Sequence, residues 1–540
     1  MDVRTLFHAA PPVAVAQDIQ TRSLRLWWII LTVGAVLPFA VVQLPPLYDY
    51  YHWIFVGHLV PLLLPGAQGA APAVNNLYGL TLLPVPNLGE PVLIALFSLV
   101  LPAEVAGRVF LTLCVLAFAY GFAFLVRAVQ ARPTALELLA FPMAFGYFMY
   151  KGYDSYLLSL ALAFFAVGTL HRVTRGGTLR PARRDLALLT GLGVGLYLCH
   201  LFGWMVFALA TGIYTLRLMR QARWRAGLGL AGTVLPALAL LGWYTVGSIG
   251  GSKLILYPLL SEKLLSLVEP LMLFLRTDPF TPPLAAFWTN LGGGLLILAL
   301  LAANLALPLR KQPWLPLLLT AAILGGIALA LPISEFSGDI RPDERFVLPA
   351  VLLGLASLRF KPLTVGRGAA MTAVVLLILS YHLVEYRSAG NALREIQQST
   401  AAVLPPDAAV LSLTVNGGAI HAPCAASADL FSVGAPTLKW FGLERLLGAG
   451  AAAGANVMPT SLVHAKIGAQ PVPNLTVVEM SPGQIRAAGP LGLEVAGLYP
   501  YIEVFGCPQD LDTARAAFTP QYGMVAGGRY YAVLSRLTTR

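Results

Sequence analysis

Charge is scarce in this chain. Only 11% of its 540 residues are Asp, Glu, Lys or Arg, whereas 57% are hydrophobic and the mean hydropathy is +0.73. A soluble protein of this length cannot keep its surface wet with so few charges, so the composition excludes a water-soluble enzyme and points to a membrane protein. Cysteine is also scarce. Four residues, with no CxxC and no Cys/His metal spacing, exclude a disulfide scaffold and a zinc module. The net charge of +11 comes from Arg clusters in short gaps between apolar runs, without interleaved aromatics, so no nucleic-acid partner is expected. The amino-terminal stretch MDVRTLFHAAPPVAVAQDIQTRSLRLWW lacks a cleavable signal pattern, and its first apolar run is expected to stay in the membrane. There is no internal repeat, and low complexity is confined to the Ala/Gly run at 446–455, which reads as a flexible loop.

What the sequence does contain is a succession of apolar runs of bilayer-crossing length, about 17 to 25 residues each, from Leu24 to about Tyr386. Eleven crossings are predicted, at 24–42, 107–126, 134–150, 156–171, 185–200, 201–217, 226–248, 288–309, 313–333, 346–360 and 367–385. Basic residues fill every second gap. Arg22 and Arg25 precede the first run; then come Arg127 and Arg132, Arg172 to Arg184, Arg217 to Arg225, Arg310 and Lys311, and Arg359 to Arg367. Short loops rich in Lys and Arg stay in the cytoplasm, so the N-terminus is predicted cytoplasmic and, after an odd number of crossings, the C-terminus outside.

The stretch 90–106 is apolar but interrupted by Pro102 and Glu104. It is too short to cross and is expected to lie as an interfacial helix within a first external loop from 43 to about 107. A second external loop, about 249–287, mixes Leu stripes with Lys253, Glu262, Lys263, Glu269, Arg276 and Asp278 and reads as amphipathic. These loops belong to a transmembrane region at 1–385. Residues 386–540 have ordinary polarity, with strand-like AVLSLTV, LTVVEM, YIEVFG and YYAVLSR and helical LDTARAAF, and are expected to form a soluble extracytoplasmic α/β domain. Outside the cytoplasm a bridge between Cys424 and Cys507 competes with two free thiols, while Cys114 and Cys199 lie in predicted crossings as packing residues.

External charges at the membrane are the informative ones, because the positive-inside rule does not account for them. Asp49, in QLPPLYDYYHWIFVGH, is either an interfacial carboxylate in an aromatic belt or a base whose pKa rises as rings exclude water. Asp154, in the short turn YKGYDSY, is a helix N-cap, a site residue or both. Arg341 and Arg345, in SGDIRPDERFVLPA, either pair with their acidic neighbours or grip a lipid phosphate through the guanidinium fork. His200, at the apex of a hairpin of about 33 residues, is either a hydrogen-bonded interhelical histidine or a cavity group. If the first loop is helical, Asp49 and His52 share a face, suited to substrate contacts or weak metal ligation.

Together these features resemble the GT-C superfamily of integral-membrane glycosyltransferases. They are an acid three residues before a His in the first external loop (Asp49, His52), Asp154 in the second, His200 in the third, and Arg345 entering a late crossing. The chain looks most similar to the bacterial branch in which about eleven crossings precede an extracytoplasmic C-terminal α/β domain. The resemblance implies a multi-pass protein of the bacterial inner membrane that moves a sugar from a polyprenyl-phosphate donor to a glycan, lipid or protein acceptor, inverting the anomeric centre. It implies Asp49 as general base, Asp154, His52, His200, Tyr50 and Lys151 as substrate contacts, and Arg345 with Arg341 at the lipid phosphate. Tyr50 stands where the commoner pattern has a second acid, which argues against a divalent metal, and no cofactor is expected. The rival from another class is a secondary transporter or flippase. That class favours midplane polar groups and broken helices in two related halves, which this sequence lacks.

Overall fold

The computed structural model describes residues 12–47, 49–64, 78–80, 84–175, 181–247, 254–256, 260–273, 283–306, 314–331, 333–336, 338–340, 342–405, 410–415, 463–465, 475–480, 499–506, 508–519, 521–528 and 531–537. The chain is mostly helical with a small C-terminal sheet. Its helices are α1 (Pro12–Val41), α2 (Tyr50–Leu63), α3 (Gly89–Ser98), α4 (Ala103–Gln130), α5 (Ala140–Ala144), α6 (Tyr147–Tyr150), α7 (Asp154–Arg175), α8 (Arg183–Cys199), α9 (Leu201–Arg220), α10 (Trp224–Gly232), α11 (Leu235–Gly247), α12 (Leu260–Val268), α13 (Pro283–Asn304), α14 (Leu315–Ala330), α15 (Pro342–Ser357), α16 (Val365–Val403) and α17 (Pro508–Phe518). Six helical stretches among the described residues are long and apolar enough to cross a membrane: Arg22–Val41, Ala103–Gln130, Asp154–Arg175, Leu201–Arg220, Trp224–Val246 and Val365–Val403.

The longest of these set the frame. α4 lies along α7, with Gly121 so near the Ala161 carbonyl that a Cβ there would stand 2.6 Å from it. In lipid, where apolar burial no longer drives helix association, such close approach at small residues is what holds helices together. α1 packs against α4 and α16. The segment 134–150, expected as one regular crossing, is instead a 3₁₀ turn (Ala135–Leu139) followed by α5 and α6, and every residue from Thr134 to Tyr150 is buried. Pro142 and Gly146 break the helix, and local turn bonds take up freed backbone groups, Phe145 donating to the Pro142 carbonyl and Met149 and Tyr150 to that of Gly146. The turn opens with the Thr134 amide donating to Glu137 Oε1 at 3.0 Å, and Glu137 also accepts from Arg127 Nε at 2.7 Å.

Alternate connections gather at opposite ends. At one end Gln130 donates to the carbonyls of Ala356 and Leu358, Arg132 to Phe360, Leu363 to Pro133 and Lys361 to Asn304, and Arg175 lies over Trp314. At the other, Asp49 donates to Lys151, Leu88 to Leu198, Tyr197 to Pro84 and Lys263 to Leu331. The basic gaps therefore share one end and the long loops the other. α3, about 15 Å long, is too short to span and packs on α2. α12 turns Leu260, Leu264 and Val268 outward and Lys263 and Ser266 toward Asp343.

Small sheets tie these loops together. β1 (Tyr78–Leu80) pairs antiparallel with β6 (Val463–Ala465), and β2 (Leu254–Leu256) with β3 (Ile333–Phe336), which pairs with β4 (Gly338–Ile340). The main sheet runs β7-β5-β8-β10-β9, with β5 (Val410–Val415) parallel to β7 (Leu475–Met480) and β8 (Tyr501–Gly506). β10 (Tyr531–Arg536) is antiparallel to β8 and β9 (Tyr522–Gly527). The four strand-like pieces and the helical piece of the sequence coincide with β5, β7, β8, β10 and α17. The division by composition at 385/386 falls inside α16, whose 39 residues extend about 58 Å, nearly twice the hydrocarbon thickness. A helix continues wherever its backbone bonds continue, whether or not the side chains turn polar. Cys424 and Cys507 lie outside the described residues; Cys114 and Cys199 are free and buried.

Candidate functional site

The loop end of the bundle is organised around the turn 151–154. Asp49 is the N-cap residue of α2, with φ −85° and ψ −9°, and its side chain makes no cap bond. Its amide donates to the Lys151 carbonyl at 3.2 Å. Gly152 follows at φ +69°, a conformation that suits glycine, and a Cβ there would stand 2.5 Å from the Asp49 nitrogen. The first loop and the second turn thus meet backbone to backbone. His52 lies one turn along α2, half-buried, its ring edge on Trp53.

Asp154 opens α7 and is fully buried, and neither carboxylate oxygen has a hydrogen-bond partner. The N-cap reading fails, because Asp154 stands inside the first turn rather than before it. Cys114 and Cys199 place their thiols on the carbonyls of Asp154 and Ser155, so the two packing cysteines hold this turn in place.

Arg345, near the start of α15, reaches the same turn. Its guanidinium lies 4.6 Å from the centre of the Tyr153 ring and 5.1 Å from that of Phe202, and its carbonyl accepts from Tyr156 Oη at 2.5 Å. The neighbouring acids are engaged elsewhere. Asp343 accepts from Lys263 Nζ and Ser266 Oγ, each at 2.9 Å, and Glu344 accepts from Tyr147 Oη at 2.8 Å. Among the described residues Arg345 therefore has no carboxylate partner, and its buried Nε is without a hydrogen bond. That overturns the local-pair reading for Arg345; Arg341 lies outside the described residues. His200 caps α9, its Nδ1 accepting from the Phe202 amide at 3.3 Å, with its ring against Tyr156 and Phe202.

No protein-family model and no curated protein sequence matches this chain. Its geometry is therefore the basis for assigning a function. That geometry brings Asp49, Lys151, Asp154, His200 and Arg345 to one end of the bundle around a single turn. Lys151 is half-buried over the Tyr147 ring. Tyr50, expected at the substrate, is instead 1% exposed, its ring against Tyr51 and its hydroxyl against Gly107. As the first residue of α2 it turns into the helix interface. Burial pushes its hydroxyl well above the ordinary range, so it stays protonated.

One acid escaped the sequence reading. Glu90, at the start of α3, is fully buried, with both carboxylate oxygens unbonded and its amide donating to Ser155 Oγ at 3.1 Å. Burial drives its pKa well above the ordinary carboxylate range; Asp154 and Asp49 push it further, and the Ser155 backbone draws it partly back. Three carboxylates thus lie within electrostatic reach. An ionisable residue in an apolar run was the signal that could have found Glu90. Among the described residues no three His, Cys, Asp or Glu side chains converge as metal ligands.

Proposed function

We propose that the chain is an integral-membrane glycosyltransferase of GT-C type that transfers a sugar from a polyprenyl-phosphate donor to a glycan, lipid or protein acceptor. In this reading the protein crosses a bacterial inner membrane eleven times, with the basic end cytoplasmic and the loop end and C-terminal sheet outside. The Asp49 carboxylate takes the proton of an acceptor hydroxyl as that oxygen bonds to the anomeric carbon. The bond from that carbon to the phosphate oxygen breaks, the electron pair leaves with the phosphate, and the configuration inverts. Arg345 offsets the charge on the leaving phosphate through paired N–H bonds. Burial favours the protonated form of Glu90 beside Asp49 and so limits repulsion around the base.

The observation that carries this reading is that residues 151–153 hold both partners: the Lys151 carbonyl binds the Asp49 amide, and the Tyr153 ring stacks on Arg345. An acid from the start of the membrane region and a guanidinium from near its end thus border one place, the free guanidinium being suited to an anion. The test is transfer from a polyprenyl-phosphate sugar in proteoliposomes. Asp49→Asn is expected to lower the rate by about a hundredfold or more with donor binding retained. Unchanged transfer removes the base role, and absence of any donor binding by the parent protein removes the enzyme reading.

A further inference from the structure

A second site lies at the opposite, basic end. A groove of about 700 Å³ opens between α1, α4 and α7, lined by Arg25, Trp28, Tyr120, Phe124, Arg127 and Phe165. Its volume falls within the about 300–1,000 Å³ of ordinary ligand sites. Its outer wall faces away from the bundle, with Ile29 61% and Tyr120 45% exposed, the direction from which lipid reaches a membrane helix. Three features decide what fits. The charge of Arg127 is offset by its ion pair with Glu137, whereas Arg25 is exposed and has no carboxylate partner among the described residues. The mouth therefore carries one net positive charge, and Arg172 adds another beside it, over the Phe124 ring at 5.6 Å. The floor is aromatic, Trp28 and Tyr120 having centroids 4.9 Å apart. Finally, Trp28 is 7% exposed, lines the groove, and has a buried indole N–H without an acceptor.

We propose that this groove binds an anionic glycerophospholipid of the surrounding leaflet. Its phosphodiester pairs with Arg25 and the free face of Arg127, the Trp28 N–H donates to a glyceryl ester carbonyl or phosphate oxygen, and one acyl chain lies along Tyr120, Phe124 and Phe165. A single phosphodiester monoanion offsets the charge that Arg25 brings to the mouth, and Arg172 beside it adds to the attraction. A zwitterionic headgroup brings a cation that Arg25 and Arg172 repel and that finds no free carboxylate in the groove, because Glu137 is already paired with Arg127. Basic side chains at the interfacial depth of a membrane protein attract anionic lipid in this way. The site stands apart from the loop-end chemistry and does not depend on it.

The test uses the full chain in mixed micelles and two probes, phosphatidylglycerol and phosphatidylcholine. Native mass spectrometry is expected to retain phosphatidylglycerol over phosphatidylcholine by about fivefold, roughly one basic residue's share of the attraction. Arg25→Gln is expected to abolish that preference and Arg25→Lys to keep most of it. In the parent protein, brominated phosphatidylglycerol is expected to quench a fluorescence component that Trp28→Phe removes, a measurement that needs no variant at Arg25. Equal retention of the two lipids, unaltered preference in Arg25→Gln, or displacement of the lipid by millimolar inorganic phosphate, which marks a free-anion site, would each overturn the proposal.

Discussion

Lys263 and Asp343 fasten α12 across the start of α15, two residues before Arg345. Their N–O distance is 2.9 Å, and their side chains are 11% and 0% exposed. At that separation and an effective dielectric of about 20 their attraction is about 6 kcal/mol, which roughly offsets the cost of desolvating two ions, several kcal/mol each. The pair as a whole therefore adds little stability, but breaking it leaves a buried charge. Lys263→Met is expected to destabilise by about 3 kcal/mol, the lower end of the about 3–5 kcal/mol range for such losses, because Ser266 still donates to Asp343. The double variant Lys263→Met with Asp343→Asn removes both charges and keeps the Ser266 bond, so it is expected to recover most of that loss. The assay is apparent thermal unfolding in detergent, read as a double-mutant cycle. If Lys263→Met unfolds where the parent does, or if the double variant is no more stable than Lys263→Met, the reasoning fails.

Three other outcomes can be checked in the same preparations. Glu90 has a folded pKa raised above its ordinary value of 4.5, so its contribution to stability is present in full below that value and is lost as the pH rises through the raised value. Glu90→Gln is therefore expected to match the parent near pH 4 and to exceed it increasingly in alkaline buffer; parallel pH profiles would contradict this. Gly152→Ala forces a side chain into the φ +69° turn and onto the Asp49 amide, and is expected to cost about 1–3 kcal/mol and to separate the two loops, measured by unfolding temperature and by proteolysis of the first loop. Cysteines introduced at Leu64, 49% exposed after α2, and at the exposed Gln221 after α9 are expected to react with an impermeant thiol reagent from opposite sides of sealed vesicles, over the parent background. Reaction from one side would mean that α3 crosses.

The low charge and the recurrence of apolar runs were enough to identify a helical membrane protein, because a bilayer imposes the same length and composition on every crossing wherever that crossing sits in the bundle. The alternation of basic gaps was legible for the same reason, as was the strand character of β5, β7, β8 and β10, which depends on local side-chain preference. The sequence also singled out Asp49, Asp154, His200 and Arg345 by a chemical oddity, charge or imidazole where topology required neither. Their surroundings depend on which surfaces meet. Only the tertiary structure decided that Asp154 does not cap its helix, that Tyr50 is core, that Asp343 and Glu344 turn away to Lys263 and Tyr147 and leave Arg345 on Tyr153, and that Glu90 joins the acids. Periodicity records how wet a face is and says nothing of its partner, so contacts such as the 197 residues between Tyr147 and Glu344 become visible only when the chain is folded.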